Sequence, residues 1–231
     1  MLETYASSSA LAEVAAHAVG QRLAQGVRER GRAVLVATGG RSPGPVYDRL
    51  GAAPVDWARV VVTLSDERFV PPDAPESNAR LLRERLFQGP PARAAFVPLW
   101  RDLASPEDAA REAEPAIRAM APFDVMLLGM GEDGHVASLI PGSPALAAGM
   151  DLRGERLVMG VPAGTGAPPL ARITLTLPAL LQARVILLLI AGDTKRAVID
   201  AALAGADLPV RALLTQDRAP VRVLWAPQLE G

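Results

Sequence analysis

Residues 33–50 read AVLVATGGRSPGPVYDRL, an apolar run, a glycine-rich turn and a helical stretch in direct succession. Residues 33–38 (AVLVAT) are apolar without alternation, as expected of a strand buried on both faces of a sheet. The run empties into Gly39-Gly40-Arg41-Ser42-Pro43-Gly44, and a short helix through Leu50 follows. Strand, loop and helix in that order make the unit from which parallel sheets are built.

The alternation continues on both sides. Upstream, Leu11, Val14, Ala15, Ala18, Leu23 and Val27 recur at helical spacing, with Gly31 as the stop signal. Downstream, residues 60–64 (VVVTL) form a strand that ends at Ser65-Asp66-Glu67-Arg68. A helix follows over about 77–87, capped by Ser77 or Asn78, then a weak strand at 96–99 and a helix over 105–120. Residues 124–128 (DVMLL) are a strand running into Gly129-Met130-Gly131-Glu132-Asp133-Gly134-His135. Residues 172–177 (RITLTL) alternate, either a half-buried strand or an extended entry to a helix at 178–182. Residues 185–190 (VILLLI) are the most apolar strand, 193–203 the helix after it, and 221–225 a last strand. The pattern predicts an α/β fold, a mostly parallel sheet with helices on both faces. The Pro/Gly-rich residues 160–169 read as a mobile loop inside one domain spanning 1–231.

Composition bounds the function. The chain has 231 residues, 24 basic and 25 acidic side chains, a net charge of −1 and no cysteine. Without cysteine there are no disulfides, thiolate metal sites or cysteine nucleophiles. With only two histidines, His17 and His135, a multi-histidine metal centre is not expected either. A balanced charge argues against nucleic acid as a partner. No apolar leader is visible, and the longest strongly apolar run, 185–191, is too short to cross a bilayer. The expectation is a cytoplasmic protein, a monomer or small homo-oligomer, with a small-molecule substrate and no membrane partner. Of the 24 basic residues 23 are arginine, so Lys195 is the single lysine.

In an open parallel sheet, ligands bind beyond the carboxyl ends of the strands. Four polar clusters fall there: residues 39–44, 66–68, 129–135 and 192–195. In the first, two glycines let backbone N–H groups approach an anion, and a helix N-terminus adds partial positive charge. It lacks the GK[ST] ending of a nucleotide loop, which points to a monophosphate. An ordinary strand-to-helix turn with Pro43 near its start reads the same way. Residues 129–134 match GxGxxG formally, but Glu132 and Asp133 would stand where a pyrophosphate must approach, so a nicotinamide oxidoreductase is rejected. What remains is a glycine-supported loop presenting Asp133 and His135 at the end of a strand, where the carboxylate can orient the imidazole. His17, inside an amphipathic helix, is read as structural. Asp66-Glu67-Arg68 reads as a solvated loop with a local ion pair, or as part of the site. Lys195, at the start of a helix, is either a surface lysine or a point charge for a bound phosphate.

These clusters, in this order, resemble the 6-phosphogluconolactonase family within the larger group that includes glucosamine-6-phosphate deaminases. The resemblance is carried by TLSDERFVPPDAPESN (63–78), FDVMLLGMGEDGHVASLIPGSPAL (123–146) and ARITLTLPAL (171–180). It implies a Rossmann-like α/β fold and hydrolysis of 6-phospho-D-glucono-1,5-lactone without a cofactor or metal. It implies that Gly40, Ser42, Arg172 and Lys195 hold the phosphate with Arg41 or Arg68 assisting, and that Gly39, Asp66, Glu67, Gly131 and Gly134 complete the substrate site. His135 would activate water, Asp133 would orient it, and Arg68 or the N–H groups of the Gly131–Gly134 turn would stabilise the oxyanion. The chain departs from the family's usual GGSTP loop with GGRSP, and its VRVLWAPQ ending carries no assignment. Deaminases are similar but read Asp-Glu-Tyr where this chain has Asp66-Glu67-Arg68. They also place a glutamate where it has Ile140, and isoleucine does no acid–base work. A non-catalytic sugar-phosphate sensor, like relatives in regulatory proteins, would need a DNA-binding module for which there is no spare length.

Overall fold

The computed structural model describes residues 2–227. Strand β1 (Leu2–Thr4) leads into the long helix α1 (Ser8–Arg30). The Ser7 hydroxyl accepts from the Ala10 N–H at its start. Gly31, at φ 74°, closes its end by donating to the Val27 carbonyl. Then come β2 (Ala33–Ala37), α2 (Gly44–Leu50), β3 (Val60–Leu64), β4 (Asp66–Arg68), α3 (Asn78–Arg85) and the two-residue β5 (Ala95–Phe96). They are followed by α4 (Pro106–Met120), β6 (Val125–Leu128), α5 (Leu146–Met150), β7 (Val158–Val161) and β8 (Arg172–Leu175). The last are α6 (Leu177–Leu180), β9 (Ile186–Ala191), α7 (Asp193–Leu203), α8 (Pro209–Thr215) and β10 (Val221–Ala226).

Seven strands form one sheet in the order β1-β10-β9-β6-β2-β3-β5, every adjacent pair parallel. The chain runs outward from β2 to β3 and β5, then returns to place β6 on the other side of β2. That reversal is the switch point at which such sheets open a crevice for ligands. The four polar clusters follow β2, β3, β6 and β9, which are neighbours in the sheet, so the crevice gathers all of them. Every residue of β2 and β6 is buried, as the unalternating sequence requires of strands covered on both faces. This is the parallel α/β architecture that the alternation implied, and the Rossmann-like fold that the family resemblance implied.

The small antiparallel sheet β4–β8–β7 was not legible in that alternation. Residues 66–68 are not a solvated loop. They form β4, with Asp66 and Glu67 buried and Arg68 directly opposite Arg172 on β8. Strand β8 is buried along its whole length rather than half-buried, and the weak strand expected at 96–99 shrinks to β5. One contiguous apolar core runs through both sheets, from Leu35 and Leu127 to Val158 and Ile173. Among the described residues, no helix is long and apolar enough to cross a membrane.

Two fastenings hold the central strands. At the amino end of β6, the buried Asp124 carboxylate accepts from the Val34 N–H (2.7 Å) and from Arg30, with Arg184 Nε 3.7 Å away. At the carboxyl end of β2, the buried Tyr47 hydroxyl donates to the Thr38 carbonyl (2.6 Å) and accepts from its N–H (2.9 Å), fixing the start of the glycine loop. Removing the Asp124 carboxylate strands a buried amide, so Asp124→Ala should cost about 1–3 kcal/mol. For a chain of this size each kcal/mol lowers Tm by about 2–4 °C, and a calorimetric Tm within 1 °C of wild type would contradict this role.

Candidate active site

The crevice is a cavity of about 300 Å³ lined by Gly39, Gly40, Arg41 and Ser42 after β2, and by Asp66 and Arg68 of β4. Gly131 and His135 after β6, Arg172 of β8 and Lys195 of α7 complete the residues expected there. Gly40 adopts φ 98°, a conformation that suits glycine. Gly39 is needed for a different reason: a Cβ there would lie 1.9 Å from the Asn78 side-chain oxygen. Asn78, which the sequence suggested only as a helix cap, lines the cavity and donates to the Asp66 carbonyl (2.8 Å). The cap of α3 is Ser77, whose hydroxyl accepts from the Arg80 N–H.

His135 Nδ1 lies 2.6 Å from Asp133 Oδ1, and the same oxygen accepts from the His135 N–H at 3.2 Å. With Nδ1 engaged by a carboxylate, a neutral ring keeps its proton there and leaves Nε2 as the acceptor. The pair lies over Gly131, where a Cβ would stand 2.2 Å from Nδ1 and 2.4 Å from the Asp133 oxygen. Only glycine leaves room for it. No helix follows this turn directly; it folds back through bridges of Val136 with Met130 and Leu139. That agrees with rejecting it as a dinucleotide loop. Ala137, next to Val136, holds φ 49°, which costs a residue with a Cβ about 1 kcal/mol.

Two arginines meet across one rung. Arg68 and Arg172 are direct partners in the β4–β8 ladder, so like charges face one another at a position where opposition is unfavourable. Arg172 is 3% exposed; it donates to the Pro168 carbonyl (2.8 Å) and lies 4.0 Å from Asp66. Arg68 donates to the Glu76 carbonyl (2.6 Å). The Nε atoms of both are buried without a hydrogen-bond partner among the described residues. Burial lowers the Arg172 pKa, Asp66 opposes that shift and Arg68 adds to it. Two buried donors without acceptors, on opposed cations lining one cavity, suit a bound anion. At the other side, burial pushes the Lys195 ammonium below the ordinary lysine value, with the Glu132 carboxylate as the main counterweight.

Three expected site residues do not line the cavity, and Asp133 reaches it only through its bonds to His135. Glu67 does not line the cavity; its carboxylate accepts from the N–H groups of Arg68, Asn78 and Ala79 (2.7 Å each) and from the Ser77 hydroxyl (3.1 Å). It fastens β4 to the start of α3, and burial raises its pKa against those bonds. Gly134 also faces away, its carbonyl accepting from Val210 at the start of α8. The N–H of Gly134 is spent on the Gly131 carbonyl and that of Gly131 on the His135 carbonyl, so neither is free for an oxyanion. Arg68 and the Glu132 and Asp133 N–H groups of the same turn keep that candidacy. Among the described residues, no three histidine or carboxylate side chains are grouped to hold a metal ion.

Fold and cavity together define an α/β protein whose crevice suits a small anionic substrate beside a histidine–carboxylate pair. The chain belongs to the family described as glucosamine-6-phosphate isomerases/6-phosphogluconolactonase, whose sequence pattern matches residues 6–225. It is 46% identical to a 6-phosphogluconolactonase of Caulobacter vibrioides, covering 97% of each chain. It is 41% identical to one of Pseudomonas putida, over 96% of this chain and 91% of that one. The crystal structure of a 6-phosphogluconolactonase from Shewanella baltica superposes with a TM-score of 0.93 at 35% identity, over 98% of this chain and 97% of that one.

The glycine beneath the imidazole is directly testable, because the chain has only two histidines. Gly131→Ala should push the ring off Asp133 and shift the His135 imidazole resonances in a ¹H–¹⁵N spectrum, leaving those of His17 in place. Unchanged resonances at both histidines would mean that the pair does not rest on Gly131.

Proposed function

We propose that this chain hydrolyses 6-phospho-D-glucono-1,5-lactone to 6-phospho-D-gluconate, with His135 as general base. The observation that carries the reading is His135, held by Asp133, in the wall of a cavity shared with Arg68, Arg172 and Lys195. Gly40, Ser42, Arg172 and Lys195 hold the phosphate, with Arg41 at the rim. That leaves the lactone carbonyl to the side of the cavity where His135 stands.

His135 Nε2 takes a proton from water as the water oxygen bonds to the carbonyl carbon. The carbonyl electron pair moves to its oxygen, and the Arg68 guanidinium, with an unspent buried Nε–H, stabilises that charge. When the carbonyl re-forms, the bond to the ring oxygen breaks, and that oxygen receives the proton held by His135. The products are a hydroxyl and a carboxylic acid, so the step balances without a co-reactant. Asp133 keeps the imidazole in the tautomer that accepts at Nε2 and stabilises the imidazolium.

The same reading makes the chain a single domain in the cytoplasm, a monomer or small homo-oligomer with no nucleic-acid or membrane partner. Deamination of glucosamine 6-phosphate fits the site less well. Ile140, where that chemistry uses a glutamate, is 2% exposed and close to Gly166, an apolar side chain that carries no proton to transfer.

A coupled assay with freshly generated lactone, run beside glucosamine 6-phosphate, tests the assignment. Ammonia release from the amino sugar without lactone hydrolysis would overturn it. His135→Asn should lower kcat by about 10²–10⁴-fold and leave product affinity near wild type. A variant within threefold of wild type would place the base elsewhere.

Lys195 supplies a second prediction. A charge-assisted hydrogen bond is worth roughly 1.5–3 kcal/mol, so Lys195→Ala should weaken inorganic phosphate binding by about 10- to 150-fold. Because burial disfavours the charged form, phosphate affinity should fall with rising pH at values below 10.5, the ordinary lysine value. Lys195→Arg should flatten that alkaline fall. Calorimetric titration across pH reads both, and pH-independent affinity in the wild type would remove Lys195 from the phosphate site.

A further inference from the structure

Ser138 stands three residues beyond His135 and is 1% exposed. Its N–H donates to Thr174 Oγ1 (3.0 Å), and its hydroxyl donates to Asp66 Oδ2 (2.6 Å). Asp66 and Thr174 are themselves direct partners across the β4–β8 ladder. They lie two residues from Arg68 and Arg172, so all four side chains share one face of that small sheet. Ser138 therefore straddles the rung that comes next after the arginine rung on that face. Both of its bonds end on the element that carries the two cations.

We infer that Ser138 is a positioning residue for His135, mooring the catalytic turn to the arginine-bearing ladder at a fixed distance. The other end of the turn is closed just beyond β6 by the Met130–Val136 bridge and by the Gly131 N–H to the His135 carbonyl. Between the two moorings, Ala137 holds its left-handed backbone at φ 49°. A non-glycine residue keeps such a conformation only where its surroundings over-determine it. The buried bonds of Ser138, on the adjoining residue, supply that determination. Without them the turn relaxes at Ala137, and the imidazole drifts relative to Arg68 and Arg172 while each of those groups remains intact. A misplacement on the order of 1 Å can cost about 10²-fold in rate, so the loss belongs to the chemical step.

The inference rests on the reading of His135 as the base, and the test separates the two. In the full chain, Ser138→Ala should lower kcat by about 10- to 100-fold, with KM for the lactone and affinity for inorganic phosphate within about twofold of wild type. Thr174→Val, which keeps the shape and removes the other acceptor, should act in the same direction. Ser138→Thr retains the hydroxyl and should recover most of the lost rate. A purely structural serine would lower Tm and leave kcat unchanged at temperatures well below it. If Ser138→Ala does not fold, Thr174→Val carries the test alone, with the same kcat-against-KM split. Wild-type kcat in these variants, alongside a His135→Asn variant that has lost its rate, would overturn the positioning role and leave the base in place. Wild-type kcat in His135→Asn as well would overturn both. A rise in KM with kcat unchanged would show that the mooring serves the arginines instead.

Discussion

The arrangement depends on β2 lying in parallel register between β3 and β6. Leu35 is held between Val62 on one side and Val125 on the other, all three fully buried. Because the chain leaves β2 in one direction and returns on the other side, the loops after β2 and β6 part at their carboxyl ends. The glycine loop and the His135 turn are those two loops. Asp124 and Tyr47 secure the opposite ends of the pair by satisfying backbone groups that the ladder leaves over. The crevice is thus a product of strand order, and its chemistry comes from what the departing loops carry.

The small antiparallel sheet contributes what strand order does not. Its ladder sets Arg68 against Arg172 and, on the next rung of the same face, Asp66 against Thr174. Glu67, between the two on β4, projects to the opposite face and binds the first amides of α3. Alternation along three residues therefore separates a carboxylate in the cavity wall, a helix fastening and a cation. Asp66 at 4.0 Å and the Pro168 carbonyl offset part of the charge on Arg172, and nothing in the described structure does the same for its Nε.

Much of this was legible from residues alone, and the limits have physical causes. Runs such as AVLVAT and VILLLI announce buried strands because a doubly covered strand has no polar face to show. A cap at Ser77 or Asn78, the stop at Gly31 and the helix of α7 followed from local chemistry. Strand β4 was hidden because three residues, all charged, leave no period to read, and burial of Asp66 and Glu67 depends on partners 72 and 11 positions away. The same distance in sequence concealed Asn78 and Ser138, whose roles exist only once separate loops meet. Gly131 and Gly134 looked equivalent in the GxGxxG stretch. One makes room for the imidazole, and the other fastens the turn to α8.

The opposed arginines also tie the fold's stability to its surroundings. Two like charges held across one rung, each with a buried N–H unpartnered among the described residues, raise the free energy of the native fold. An anion that settles between them and has no affinity for the unfolded chain stabilises the native state by mass action, by about 2.7 kcal/mol at a hundredfold excess over its Kd. Resistance to heat and proteolysis then becomes a property of the solution as much as of the sequence. A phosphate-buffered sample and a chloride-buffered one would be, in thermodynamic terms, different proteins.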